Sequence, residues 1–214
     1  MRCIWPRARL ALPDNQRRPT GISPRGLPAD LLPIKNRSMV REILIWPHPV
    51  LKQKAKPVKI VDETIRKLVR DMFETMYSAD GVGLAAPQVG VLQNVIVLDT
   101  TSRQPESKPM AMVNPKIVAH QGMTTYNEGC LSIPGEAEDV ERFAQVTVSF
   151  LDVEGQPQIL EAEGLFSIAI QHEMDHLLGV VFVDHLSSLK RDLIKKRMKR
   201  LKIERASESP ASAP

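Results

Sequence analysis

The segment His172-Glu173-Met174-Asp175-His176 has the residue types and the spacing of a metal site. Residues four apart in a helix lie on the same face, so the two imidazoles can reach one ion. Glu173 would then lie beside the ion, placed to handle the proton of a water molecule. Apolar residues flank the segment on both sides, which favours a buried helix over a chance match of five letters. The pattern therefore predicts a bound metal ion.

A catalytic metal of this kind needs a third protein ligand and an open position for water. Cys130 is a candidate because it follows a glycine that allows close backbone approach, although a lone buried cysteine is more often inert packing. Three histidines are weaker candidates, since they lie between prolines, in a predicted loop, or beyond the helix stop at Gly179: His48, His120 and His185. A thiolate with two imidazoles suits iron(II) or zinc. The residues favour Cys130.

The third chemical element is the loop from Gly81 to Gln88. Its glycine spacing matches neither the dinucleotide nor the Walker phosphate pattern, and no lysine follows it. We therefore expect the backbone around Gly83 to approach a peptide substrate closely. The side-chain amide of Gln88 can donate a hydrogen bond to a developing oxyanion without adding charge.

The segments between these motifs predict the elements that position them. Apolar residues at three- and four-residue steps predict helices, and alternating or continuous short apolar runs predict strands. The predicted elements are a helix from Asp62 to a stop at Gly81, a buried strand Val95–Leu98, a short strand near Met112 ended by Asn114-Pro115, a hairpin of residues 146–162 turning at Glu154-Gly155, and a helix Leu165–Leu178. Strands around two helices indicate an α+β fold, with antiparallel strands and small sheets around a central metal-binding helix.

Charge divides the 214-residue chain into unlike segments. Residues 39–187 carry twelve Lys/Arg against twenty Asp/Glu, whereas residues 188–205 carry nine Lys/Arg against two acids. The second segment predicts a basic amphipathic helix, followed by a disordered tail at 206–214. The residues predicted to share its apolar face are Leu186, Leu189, Leu193, Ile194, Met198 and Leu201. Either this helix packs on residues 39–187 with its cations in solvent, or its cations contact the phosphates of RNA.

Residues 1–38 contain six prolines and seven arginines, and we interpret them as a disordered extension or as a leader before a start at Met39. Organelle targeting is the alternative, but the amphipathic and Ser-rich features of a targeting segment are missing. No apolar run is long enough to span a bilayer. Two cysteines in unlike settings favour a reducing compartment over a disulfide framework. We expect a cytoplasmic monomer without a membrane partner.

Three segments of this chain resemble the signature motifs of peptide deformylases, in the order and at the spacing of that family. They are Gly81-Val82-Gly83-Leu84-Ala85-Ala86-Pro87-Gln88, Glu128-Gly129-Cys130-Leu131-Ser132 and Gln171-His172-Glu173-Met174-Asp175-His176. The resemblance runs from about Met39 to the C-terminal helix, which makes residues 39–187 a catalytic domain. Each motif is moderately specific, and the three together are highly specific.

The resemblance implies removal of the formyl group from N-formyl-methionyl nascent peptides, with one Fe²⁺ that Zn²⁺, Ni²⁺ or Co²⁺ can replace. Cys130, His172 and His176 would hold the metal. Gln88 and the backbone N–H of Leu131 would stabilise the oxyanion, and Glu173 would carry a proton from water to the leaving amine. Val82, Gly83, Leu165 and Ile168 would contact the substrate. As in some relatives, the basic C-terminal helix would contact ribosomal RNA.

Two other functions remain open at the level of residues. A zinc endopeptidase with the same H-E-x-x-H segment would need a third His or Glu ligand. A non-catalytic metal module would need a fourth protein ligand and would leave Glu173 without a role. One departure from the family concerns the substrate: the acidic stretch 135–141 has no arginine before Arg142, where some members carry one that holds the peptide backbone. Arg142 itself is either paired with Glu128 or a solvated loop charge.

Overall fold

The computed structural model describes residues 38–208, so the predictions for residues 1–37 and 209–214 lie outside it. Five antiparallel strands form one sheet whose spatial order follows the chain. The elements are α1 (Glu63–Ser78), β1 (Gly83–Ala85), β2 (Val95–Leu98), β3 (Met110–Cys130), β4 (Ile133–Leu151), β5 (Pro157–Glu163), α2 (Gly164–Leu177) and α3 (Ser188–Glu208). The predicted α+β class is confirmed, with one sheet in place of several small ones.

Helix α1 begins and ends close to the predicted residues. The Asp62 side chain accepts a hydrogen bond from the Ile65 N–H at 3.0 Å and so caps the first turn. Buried Leu68, Met72 and Met76 pack against β1 and β2, which accounts for the apolar stripe without a cofactor. Beyond the helix, Gly81 donates its N–H to the Met76 carbonyl at 2.9 Å, and the chain turns into β1.

The prediction that a short strand ends at Asn114-Pro115 is wrong, because β3 continues through both residues to Cys130. Asn114 adopts φ of 54° and interrupts the pairing register, which lets the strand pass the proline as a bulge. Its side-chain amide exchanges two hydrogen bonds of 2.8 Å with the backbone of Val58. Those bonds compensate for the lost strand pairing.

Residues 116–127 of β3 are exposed or half-buried on both faces, and this part of the strand was missed in the sequence because its residues do not alternate between apolar and polar. The hairpin of β4 and β5 is confirmed, with Val148 opposite Leu160 and Phe150 opposite Gln158. Helix α2 agrees with its prediction to within one residue at each end and packs on β1, β2 and β4. The sheet thus brings the ends of β1 and β3 against one face of α2.

Helix α3 contributes two side chains to the core, Ile194 and Met198, which are buried in a cluster with Cys130 and Ile133. The prediction of a six-residue apolar face is therefore wrong in part, since Leu189 and Leu193 are exposed by 71% and 45%. Ion pairs dock the helix on β4: Lys190 bonds Glu138 at 2.7 Å, and Arg197 bonds Glu136. Among residues 38–208, no helix is long and apolar enough to span a bilayer.

Candidate metal centre

Cys130, His172 and His176 converge in the interior, with one ligand atom from each within 4.8 Å of the others. Cys130 is the last residue of β3, and the two histidines stand one turn apart on α2. The thiol sulfur lies 3.2 Å from Nε2 of His176. All three side chains are buried, and no fourth His, Cys, Asp or Glu joins them within the described part of the chain.

The three rejected histidines have other contacts. His48 accepts a hydrogen bond from the Val50 N–H at 3.3 Å, and the His120 ring stacks on Phe143 with centroids 3.7 Å apart. His185 bonds Asp175 at 2.7 Å. None of these rings belongs to the metal-ligating cluster. A set of one sulfur and two nitrogens within 4.8 Å of one another fits a transition metal with an open coordination position.

Glu128 orients the His172 ring through the ring nitrogen that faces away from the cluster. Its Oε2 lies 2.8 Å from Nδ1 of His172, which fixes that nitrogen as the protonated one and leaves Nε2 to face the cluster. Burial disfavours a charged ring, but the hydrogen bonds to Cys130 and Glu128 outweigh burial and raise the pKa of His172 well above its ordinary value. In His176, burial and the neighbouring His172 charge lower the pKa well below that value. Cys130 and Glu128 therefore favour the protonated form of His172, whereas burial favours the neutral form of His176.

Arg142 is half of a buried ion pair, which settles its ambiguous assignment from sequence. It donates two hydrogen bonds to Glu128, at 2.6 and 3.0 Å, and a third to Asp175 at 2.7 Å. Asp175 also bonds His185, so a chain of charged groups runs from His172 to the surface. The roles of Asp175 and His185 were not predicted, because no spacing pattern in the sequence links Asp175 to Arg142. Burial works against ionised Glu128, but the bonds from Arg142 and His172 lower its pKa.

Glu173 lies in the interior beside β1. A Cβ atom added to Gly83 would lie only 2.9 Å from Cγ and Cδ of Glu173, so glycine is needed for this close approach. Burial raises the pKa of Glu173 to about 7, against the opposing effect of the His172 charge. Its Oε2 has no hydrogen-bond partner within residues 38–208. A buried carboxyl with this pKa can both accept and return a proton near neutral pH.

Gln88 is held next to Cys130 of the cluster. Its Oε1 accepts a hydrogen bond from the Ala85 N–H at 2.8 Å, which aims Nε2 toward Cys130. That nitrogen lies 3.6 Å from the Cys130 sulfur and 3.2 Å from the Ser132 hydroxyl. Leu131 follows Cys130 in the turn between β3 and β4. Ser132 is a contact that the sequence did not single out, although it belongs to the second motif.

The four residues predicted to contact substrate come from two places in the fold, the start of β1 and the first turns of α2. Val82 and Gly83 are buried at the start of β1, and Ile168 is buried on α2 one turn before His172. Leu165, at the start of α2, is only half-buried. Gln104 bonds the Phe166 N–H at 3.2 Å and ties the loop after β2 to this end of the helix.

Comparison with known proteins decides among the possible functions. The family described as polypeptide deformylase matches residues 40–192. The chain belongs to that family. It is 48% identical over 159 residues to the peptide deformylase of Rhizobium meliloti (strain 1021), which covers 74% of this chain and 91% of that protein. With the peptide deformylase of Neisseria meningitidis serogroup C (strain FAM18) the identity is 51% over 158 residues, covering 74% and 93%.

Solved structures of deformylases have the same fold. A peptide deformylase from Legionella pneumophila superposes with a TM-score of 0.74 at 43% identity, covering 80% of this chain and 99% of that one. A peptide deformylase from Ehrlichia chaffeensis, solved in complex with actinonin, gives a TM-score of 0.73 at 39% identity, covering 76% and 97%.

The deformylase is thus a hydrolase that removes the formyl group from the N-terminal methionine of newly synthesised proteins and releases formate. The endopeptidase and the non-catalytic module are set aside by this membership. The enzyme has a Cys/His/His group able to hold a metal ion, in agreement with the prediction from residue spacing.

Proposed function

We propose that Cys130, His172 and His176 hold one Fe²⁺ ion, which Zn²⁺, Ni²⁺ or Co²⁺ can replace. A thiolate and two imidazoles form a soft, electron-rich donor set that suits these ions. The convergence of the three buried donors within 4.8 Å of one another is the observation on which the assignment depends. Glu128 supports it, because a carboxylate behind a ligating histidine fixes the ring and raises its basicity.

Glu173 acts as the proton carrier. A metal at the site supplies Lewis acidity and lowers the pKa of water toward neutrality. Glu173 accepts a proton from the attacking water and returns it to the amine that leaves, since expulsion of an amine requires an acid. Its pKa of about 7, raised by burial, matches both roles.

Gln88 and Leu131 stabilise the tetrahedral oxyanion. The bond from the Ala85 N–H holds the Gln88 amide in place before substrate arrives, so little reorganisation is needed. Leu131 would add its backbone N–H from the turn after Cys130. Val82, Gly83, Leu165 and Ile168 hold the substrate, with the methionine side chain against the three apolar residues. Gly83 leaves room for a peptide backbone and for Glu173 on the same side.

Substrate comparison tests this assignment directly. The protein is reconstituted without oxygen with Fe²⁺ or Zn²⁺ and offered formyl-Met-Ala-Ser, its acetyl analogue, or casein. We expect formate from the first substrate alone and faster turnover with Fe²⁺. Cleavage of casein would contradict the assignment, and so would retained formate release after Cys130→Ala. Metal content per chain, measured by mass spectrometry, should be near one and should fall in that variant.

We also propose that α3 contacts ribosomal RNA through its exposed cations. Lys195, Lys196, Lys199 and Arg200 are exposed and lie away from the two residues that dock on β4. Deleting the helix is an unsuitable test, because the deletion would remove Ile194 and Met198 from the core. Changing the four exposed cations to glutamine should weaken ribosome co-sedimentation and its salt dependence while formyl-Met-Ala-Ser is still hydrolysed. Unchanged co-sedimentation would exclude this contact.

Residues 39–187 form the catalytic domain of a cytoplasmic monomer, and residues 188–205 form an attached basic helix. The match to residues 40–192 supports these bounds, although α3 extends to Glu208. The N-terminal segment 1–38 is an extension or a leader, whereas the tail predicted for residues 206–214 cannot begin at 206, because residues 206–208 belong to α3. N-terminal sequencing of the native chain distinguishes a start at Met1 from one at Met39. Light scattering distinguishes a monomer from a dimer.

A further inference from the structure

A groove of about 760 Å³ runs from the catalytic turn to the C-terminal helix. Ala79 and Leu131 lie at its inner end, and Leu201 of α3 also lines it. Ile43 and Leu44 contribute further apolar walls, so most of its lining favours apolar side chains. Its charged members are few: Arg41 is held by Asp71 at 2.7 Å, and Glu42 is exposed.

The direction of a bound peptide follows from the proposed function, on which this inference depends. The formyl group belongs near Gln88, whose side chain is bonded to Ala85 at the end of β1. The methionine side chain belongs near Val82, which precedes β1. β1 is also the first strand of the sheet, so an extended peptide can lie along its open edge. A substrate that passes Ala85 and then Val82 continues toward Gly81 and Ala79.

The groove begins beside Gly81 and Ala79, where the path of the bound peptide leads. The Leu131 side chain lies against Gly81, since a Cβ atom added to Gly81 would be 2.8 Å from Cδ1 of Leu131. Both Leu131 and Ala79 line the groove. The groove therefore begins within side-chain contact of Gly81, the residue that precedes Val82. Its other wall is α3, which also carries the cations proposed to contact the ribosome, the place where the downstream end of a nascent chain is attached.

We infer that this groove binds the downstream residues of the nascent polypeptide, from about the fourth residue onward, and favours apolar side chains there. The enzyme thereby distinguishes formyl-peptides by sequence well beyond the methionine. Burial of one or two apolar side chains in a partly open groove should raise kcat/KM about three- to tenfold.

Three substrates measure this preference with the metal-loaded, full-length protein. They are formyl-Met-Ala-Ser, an extension of it by Leu-Val-Leu-Ser, and an extension by Ser-Thr-Ser-Ser. We expect kcat/KM for the apolar heptapeptide to exceed that for the polar heptapeptide about three- to tenfold, mainly through KM. Equal values for the two heptapeptides would overturn the inference. Failure to release formate from the tripeptide would instead contradict the proposed function.

Two leucines of α3 provide a matched pair of variants. Leu201 lines the groove, whereas Leu189 is exposed on the same helix and does not line it. Leu201→Glu should bring the ratio of the two heptapeptides toward one, and Leu189→Glu should leave that ratio at its original value. Equal effects of both substitutions would overturn the inference. Melting temperatures measured beside the kinetics identify a variant that has lost its fold.

Photo-cross-linking gives a second measurement that needs no substitution. A non-hydrolysable apolar heptapeptide with a benzophenone side chain at its fifth residue is irradiated with the intact protein. Mass spectrometry should place the cross-links on Ile43, Leu44 or Leu201, and cross-links confined to other surfaces would overturn the inference.

Discussion

At the scale of single residues, the site combines a network of charged side chains bonded to His172 with the buried carboxyl group of Glu173. Glu128 and Arg142 hold His172 from one side, and Glu173 stands beside Gly83 on the other. The convergence of His172 and His176 could be predicted, because a spacing of four on a helix is visible in the sequence. The partners of Arg142 could not, since Asp175 and Glu128 come from elements 47 residues apart whose approach depends on the fold.

Glu173→Gln should lower kcat for formyl-Met-Ala-Ser about 10²- to 10⁴-fold, because the amide cannot carry the proton. The amide is nearly isosteric, so metal content should stay near that of the unaltered protein. Steady-state formate release and metal analysis of the same samples check both statements. An active variant with full metal content would exclude Glu173 as the proton carrier.

Glu128→Gln should weaken metal affinity about 10- to 100-fold, since Nδ1 of His172 loses an ionised partner. Competition with a chelator measures the affinity independently of activity. Glu138→Gln is the matched control: Glu138 lies directly opposite Glu128 in the strand register but bonds Lys190 of α3. Equal losses in both variants would indicate a general effect of charge at this end of the hairpin.

At the scale of elements, the spacing of apolar residues predicted the helices and strands that have a regular apolar pattern and missed the strand residues that lack one. Helix α1, strand β2 and helix α2 have clear apolar patterns and formed where expected. Strand β3 continues through residues 116–127, which are exposed or half-buried on both faces, so its pairing with β4 defines the strand there. In α3, tertiary packing chose Ile194 and Met198 and left Leu193 in solvent, although all three are apolar.

Ile194→Ala should therefore lower the free energy of unfolding by about 2–5 kcal/mol, because its side chain is fully buried beside Cys130. Its neighbour provides the control. Leu193→Ala should change the free energy of unfolding by less than about 0.5 kcal/mol. Urea unfolding followed by circular dichroism measures both. Equal effects would contradict the docking of α3 through Ile194.

At the scale of the whole molecule, the segment that precedes α1 forms backbone hydrogen bonds to two separate parts of the site. Leu44 donates its N–H to the Gln88 carbonyl at 2.8 Å, and Trp46 donates to the Ser132 carbonyl at 2.9 Å. Farther back, Asp71 of α1 is buried and accepts bonds from Arg41, Lys67 and the Met39 N–H. The segment that carries Met39 and Arg41 is thus held against α1, a few residues before Leu44 and Trp46 contact the site.

Asp71→Asn should cost about 1–2 kcal/mol at neutral pH, a value reduced for the partial exposure of its cationic partners. Burial acts to raise the Asp71 pKa, but the bonds from Lys67, Arg41 and Met39 outweigh it and hold the pKa below 3.8. The stability from this carboxylate is therefore full well above pH 3.8 and is lost as pH falls through the folded-state pKa. Urea unfolding across pH should show the difference between the two proteins shrinking in acid. A constant difference would contradict this origin.

The three residues proposed to hold the metal occur in the order Cys130, His172 and His176, on β3 and on α2, which follows it in the chain. A chain still being translated thus has no complete site until its last ligand has left the ribosome. Until then the chain cannot remove a formyl group from its own first methionine, so any earlier removal requires another deformylase molecule that has already folded.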